Sequence, residues 1–163
     1  MALWQVRIGR GLEREQAALD KAMVFVGWEA LPNLASIQSQ AELETLCKKT
    51  YPNEKARTLS SWARQIWTFL KRIEPGDLVI IPLKSRSAYA VGRIIGPYQY
   101  CSDLPQNLHH ARPVEWIKTE IPRSSFDQDI LYSLGSIISV CQIQRNHAQE
   151  RIQEMLTVDE DLS

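Results

Sequence analysis

Gly76-Asp77-Leu78-Val79-Ile80-Ile81-Pro82-Leu83-Lys84-Ser85-Arg86-Ser87-Ala88-Tyr89-Ala90-Val91-Gly92-Arg93-Ile94-Ile95-Gly96-Pro97 is two apolar runs joined by a short polar segment. Leu78 to Leu83 and Ala88 to Ile95 read as strands, because each is a short apolar run bounded by turn residues. Lys84-Ser85-Arg86-Ser87 is the hairpin tip between them. Glu74-Pro75-Gly76-Asp77 is a turn ahead of the first strand, and Gly96-Pro97 breaks the second.

Upstream of the hairpin, Glu54 to Ile73 predicts a helix. Leu59, Trp62, Ala63, Ile66, Leu70 and Ile73 keep the three-and-four spacing of one face. A shorter helix opens at Ser39 or Gln40, runs to about Lys49 and is stopped by Tyr51-Pro52-Asn53. Met23 to Trp28 is a compact apolar run and reads as a buried strand, ended by Leu31-Pro32-Asn33. Glu13 to Lys21 is a short helix. Leu3 to Ile8 alternates, with Trp4, Val6 and Ile8 on one side and Gln5 and Arg7 on the other, as in a strand with one buried face.

Downstream, Cys101 to His110 reads as a loop and Arg112 to Thr119 as an alternating strand. Ser124 or Ser125 opens a helix, with Asp127 and Gln128 positioned for a capping box. Ile137 to Ile143 reads as a last strand, and Asn146 caps a helix to about Leu156. Strands and helices in this order predict an α+β domain over 1–156, with a small, curved, mostly antiparallel, barrel-like sheet flanked by helices. Residues 157–163 read as an acidic tail or the start of a linker.

The chain has 163 residues, 44% hydrophobic and 23% charged, which suits one globular domain with a sizeable core. Its formal net charge is zero, which argues against an indiscriminate DNA-coating protein but leaves room for a local basic groove. Cys47, Cys101 and Cys141 are odd in number, widely spaced and lack a CxxC pair. That pattern opposes a disulfide framework or a structural zinc site, so a reducing cytoplasm is the expected compartment. Met1 to Arg10 lacks the apolar stretch of a signal peptide, and no run is long enough to span a bilayer.

Several pieces, taken in order, carry a resemblance. They are Val26-Gly27-Trp28, Ser61-Trp62 with Gln65-Ile66-Trp67, Gly76-Asp77-Leu78-Val79, Gly92-Arg93-Ile94-Ile95-Gly96-Pro97-Tyr98, Arg112-Pro113-Val114-Glu115-Trp116 and Ser133-Leu134-Gly135. The series resembles the N-terminal reader domain of Mrr-like modification-dependent restriction endonucleases, a member of the EVE, YTH and PUA group of small barrels. The resemblance implies a PUA/EVE-type barrel that serves phage defence by binding DNA and holding one modified base, flipped from the duplex, in an aromatic pocket. It also implies a nuclease domain elsewhere in a parent protein. A fainter likeness to YTH domains implies that Trp28 forms one wall of the pocket. The second wall then comes from the loop that offers Tyr98, Tyr100, His109 and His110.

Each candidate also has a plain structural reading. Trp28 ends an apolar strand beside a glycine and suits either a pocket rim or a half-buried core position. Tyr98 and Tyr100 line a pocket or cover the barrel end. Lys84, Ser85 and Arg86 at the hairpin tip are suitable phosphate contacts, or a solvated tip. Arg10, within Gly9-Arg10-Gly11, lies in a turn whose amides can face phosphate. It lacks the spacing of a phosphate-binding loop. His109, His110 and Arg112 can reach phosphate or a base edge. The adjacent histidines point to opposite strand faces with no third ligand nearby, so no metal is expected. Trp4, Trp62, Trp67 and Trp116 read as core.

No cofactor is implied. Glu115-Trp116-Ile117-Lys118 has one residue more than the Glu-x-Lys of Mrr-type nucleases, which puts its charges on opposite strand faces. No serine or cysteine sits in a nucleophile motif. The expected function is therefore binding rather than catalysis, with DNA as partner and a restriction system as setting. An RNA reader and a protein-interaction or ligand-sensing module are the other readings.

Overall fold

The computed structural model describes residues 1–9, 11–104 and 108–162, and of 158–162 the backbone alone. Seven strands form one curled, mixed sheet open at both ends: β1 (Leu3–Val6), β2 (Met23–Val26), β3 (Leu78–Leu83), β4 (Ala88–Ile94), β5 (Gln99–Tyr100), β6 (His110–Pro122) and β7 (Val140–Gln142). The order is β2-β6-β4-β3-β1-β7, with β5 alongside β6. Among the described residues only β1 and β3 run parallel; the other pairs are antiparallel. Among the described residues five α-helices flank the sheet: α1 (Leu12–Lys21), α2 (Gln40–Thr50), α3 (Ala56–Trp67), α4 (Gln128–Ser133) and α5 (Ala148–Leu162). The architecture is thus α+β, a half-barrel with helices around it. No helix among the described residues is long and apolar enough to cross a membrane.

The hairpin of β3 and β4 is the middle of the sheet, as its apolar runs predict. Ile80 and Val91 pack with α4 and α5 on one face, and Val79, Ile81 and Ala90 face the interior of the curl on the other. At Gly92, β4 and β6 approach closely. A Cβ there would lie 2.7 Å from the Glu115 carbonyl oxygen and 2.8 Å from the Trp116 ring. The register slips at this point, and the resulting bulge bends β6 around the core.

The structure corrects several local expectations. β1 is buried on both faces, because Leu3 packs towards α5 and the Gln5 amide donates to the Leu134 carbonyl at 2.9 Å. The helix expected from Ser124 starts after Asp127, since residues Arg123–Ser125 form a 3₁₀ turn and Phe126 inserts into the core. Asn146 does not cap α5. It takes a left-handed φ of 60° and its amide donates to the Asp129 carbonyl and Ser133 Oγ, tying the turn to α4. The last strand is only Val140–Gln142, and the residues before it are an exposed loop.

α3 continues into a π turn, Thr68–Arg72. Such a turn leaves backbone carbonyls without their usual partners. Arg112 of β6 supplies them, donating through Nη1 to Phe69 at 2.8 Å and Ile73 at 2.7 Å, and through Nε to Gly96 at 2.9 Å. Just after the same turn, Asp77 accepts from the Trp4 indole, the Ala2 amide and the Glu74 amide. These bonds lock β1, β6 and the long helix into one unit.

Candidate functional site

After β2 the chain turns sharply at Gly27 and Trp28. Trp28 has a φ of 56°, a left-handed conformation that costs a bulky side chain energy and that recurs at ligand clamps. Its carbonyl accepts the Leu31 amide at 3.0 Å, closing the turn. The Trp28 ring meets Trp62 of α3 edge-on, with centroids 6.3 Å apart. Tyr51, at the end of α2, meets Trp62 edge-on at 5.2 Å. All three rings are half-buried. Together with Gly27, Glu29, Ala30 and Ser139 they line an open cavity of about 490 Å³.

The positions of these rings follow from local sequence. The apolar stripe of α3 buries Leu59, Ala63 and Ile66, and Trp62 stands at its edge, so its indole leaves the core. α2 is opened by Ser39, whose hydroxyl accepts the Glu42 amide. It closes at Tyr51, whose amide donates to Cys47. Partial burial pushes the Tyr51 phenol up, so it remains a neutral donor. The cavity therefore offers aromatic surface, a carboxylate at Glu29 and a hydroxyl at Ser139. That set suits a flat, partly polar ring held by stacking and by a few edge hydrogen bonds.

Tyr98 and Tyr100 gather elsewhere along β5 and β6. Tyr98 stacks on His110 at 5.9 Å, and its hydroxyl lies 2.7 Å from His110 Nδ1 while accepting the Leu34 amide. Tyr100 contacts both His109 and His110. His109 Nε2 bonds the Leu104 carbonyl. The expectation that His110 and Arg112 reach a nucleic acid is corrected: each is 1% exposed. Burial pushes the Tyr98 phenol up to about 12 and pushes His110 down, so both stay neutral. Arg112 is lowered to about 10 by burial, with Asp77 acting in the opposite sense, and stays charged. Its Nε and Nη1 donors are used on backbone. Tyr98 packs against the same two core clusters as Trp28, so this group supports the Trp28 turn from below.

At the hairpin tip, Ser85 donates its amide and hydroxyl to Glu15, which is buried on α1. Arg86 stands 3.8 Å from the same carboxylate and donates to Gln16. These two residues dock the tip onto α1. Lys84 is exposed and shares a groove with Arg7, Ser87 and Arg123. Arg10 lies outside the described residues. No group of three or more His, Cys, Asp or Glu among the described residues is positioned to hold a metal ion.

Sequence reasoning paired Trp28 with the tyrosines after Gly96-Pro97 and assigned Trp62 to the core. The cavity instead joins Trp28 to Tyr51 and Trp62. One signal was available: Trp62 lies at the margin of its apolar stripe, next to Ser61, where a ring can face outward. Nothing local marked Tyr51, which reads only as part of a helix stop.

Residues 4–135 match a family model described as a domain of unknown function, DUF8426. No curated protein matches the chain.

Proposed function

The chain belongs to the DUF8426 family, and for it we propose a DNA-binding specificity domain that reads a modified base in the cavity of Trp28, Tyr51 and Trp62. In this reading the half-barrel is of the PUA/EVE type and the setting is a restriction system. The observation that carries it is the open cavity lined by three half-buried rings, one of them on a strained turn. Such surface costs stability when left exposed, and a stacked base covers it.

The energies are compatible. Extruding a base from a duplex costs a few kcal/mol, and aromatic stacking returns roughly 1–3 kcal/mol per base. A buried methyl group adds about 0.8 kcal/mol. Hydrogen bonds and phosphate contacts supply the remainder. Glu29 accepts hydrogen bonds and suits a base with an exocyclic amine, cytosine or adenine in type. Lys84, Arg7 and Arg123 form the basic groove that meets the backbone.

Fluorescence-anisotropy titrations at near-physiological salt test this. One duplex is made unmodified and with each cytosine or adenine modification, and a matched RNA competes. The expected result is salt-sensitive binding, tighter for one modified duplex and weakened by Trp28→Ala without loss of the fold. Preference for RNA would transfer the same cavity to an RNA reader. Absence of binding to any oligonucleotide would end the proposal.

A further inference from the structure

The loop Gly135–Ser139 between α4 and β7 borders the aromatic cavity through Ser139, and it carries the most exposed apolar side chain of the core-forming types. Ile137 is 92% exposed and Ile138 43%, beside Tyr132 at 82%. Two adjacent isoleucines facing water at a loop tip form a small apolar patch, and exposed apolar patches mark interaction sites.

The loop is held from both sides. The Arg7 guanidinium donates through Nε to the Ser136 carbonyl at 2.5 Å, and the Arg7 amide donates to the Ser139 carbonyl at 2.8 Å. Gln65 of α3 lies one turn beyond Trp62. Its Oε1 accepts the amides of Ser139 and Val140, and its Nε2 donates to Ser61. The apolar tip is therefore projected by two polar anchors, one of them on the helix that carries a cavity wall. Beyond the loop lie two grooves that share Arg123 and Gly135. One also holds Arg7 and Lys84, and the other, about 1000 Å³, also holds Arg145 and Tyr132. A phosphate backbone matches this basic flank.

We propose that the Ile137–Ile138 tip is a wedge that enters the base stack of duplex DNA at the position vacated by the base held in the cavity. Apolar side chains of this type separate base steps in other DNA complexes. The inference rests on the proposed base-reading cavity. It adds that this domain opens the duplex itself rather than capturing bases already unpaired. Basic groups on one side of the tip and the aromatic cavity on the other give the wedge its orientation.

The test compares wild type, I137S/I138S and Trp62→Leu on the preferred duplex and on its single strand. Both isoleucines face solvent, so the double variant should fold normally, checked by circular dichroism. The wedge predicts that I137S/I138S binds the duplex about ten-fold more weakly, while its affinity for the single strand is unchanged. Trp62→Leu should lose affinity for both. A duplex with 2-aminopurine opposite the target should brighten with wild type and not with the double variant. Equal losses on duplex and single strand, or no loss, would overturn the wedge while leaving the cavity reading standing. If wild type binds no oligonucleotide, both readings fall. If I137S/I138S then dissolves a dimer, the tip serves a second copy of the chain.

Discussion

Two aromatic groups flank the turn at Trp28, and they differ in what their polar atoms and ring faces are doing. In the group of Tyr98, Tyr100, His109 and His110, the Tyr98 hydroxyl, His110 Nδ1 and His109 Nε2 each meet a neighbour, His110 Nε2 is buried without a partner, and the rings pack on one another. In the group of Trp28, Tyr51 and Trp62, the rings touch only at edges and open onto a cavity. The first has the properties of a support and the second those of a receptor. Aromatic content alone does not distinguish them; whether the rings close on one another or open onto a cavity does.

The sharpest way to break this contrast is at Arg112, beneath the supporting group. Arg112→Met leaves three carbonyls without donors and should cost about 3–5 kcal/mol, read by urea denaturation. Affinity per folded molecule should stay within two-fold of wild type. A change in affinity at unchanged stability would move Arg112 from support to receptor.

Trp62→Leu probes the receptor with the opposite expectation. It keeps the side chain apolar though smaller and removes a stacking face, so affinity should fall about 5- to 150-fold, which is roughly 1–3 kcal/mol of stacking. Stability should change less than in Arg112→Met.

A pH titration separates the groups more finely. Burial holds the folded-state pKa of His110 below 6.5. As pH falls below 6.5 the unfolded chain takes up the proton first, so stability present above that pH is lost through the window down to the folded value. The thermal midpoint should therefore decline as pH falls below about 6.5, and His110→Gln should flatten that decline. The smallest effect is expected from Tyr98→Phe, about 1 kcal/mol for the hydroxyl's bonds to Leu34 and His110. Its nucleic-acid affinity should be unaltered.

Much of the fold was legible. The β3–β4 hairpin, the α3 stripe and the Ser39 cap are local patterns, and local patterns survive folding. The polar face of β1 was misjudged because Gln5 finds a partner in Leu134, far along the chain. The start of β7 was misjudged because Arg7 and Gln65 hold the preceding residues as a loop. The site was half legible for the same reason. Trp28 stands out beside Gly27 and before Glu29. Its cavity partners come from α2 and α3, and only tertiary packing brings them together. His110 and Arg112 look like contact residues in sequence, yet the π turn and the Tyr98 hydroxyl draw them inward.

The most direct test of the receptor is the ratio of affinities for the preferred modified duplex and its unmodified twin, measured for wild type and Trp62→Leu at one salt concentration. The account predicts a ratio well above one for wild type that collapses towards one in the variant. A ratio that survives the loss of Trp62 would show that the base is read elsewhere and would contradict the account.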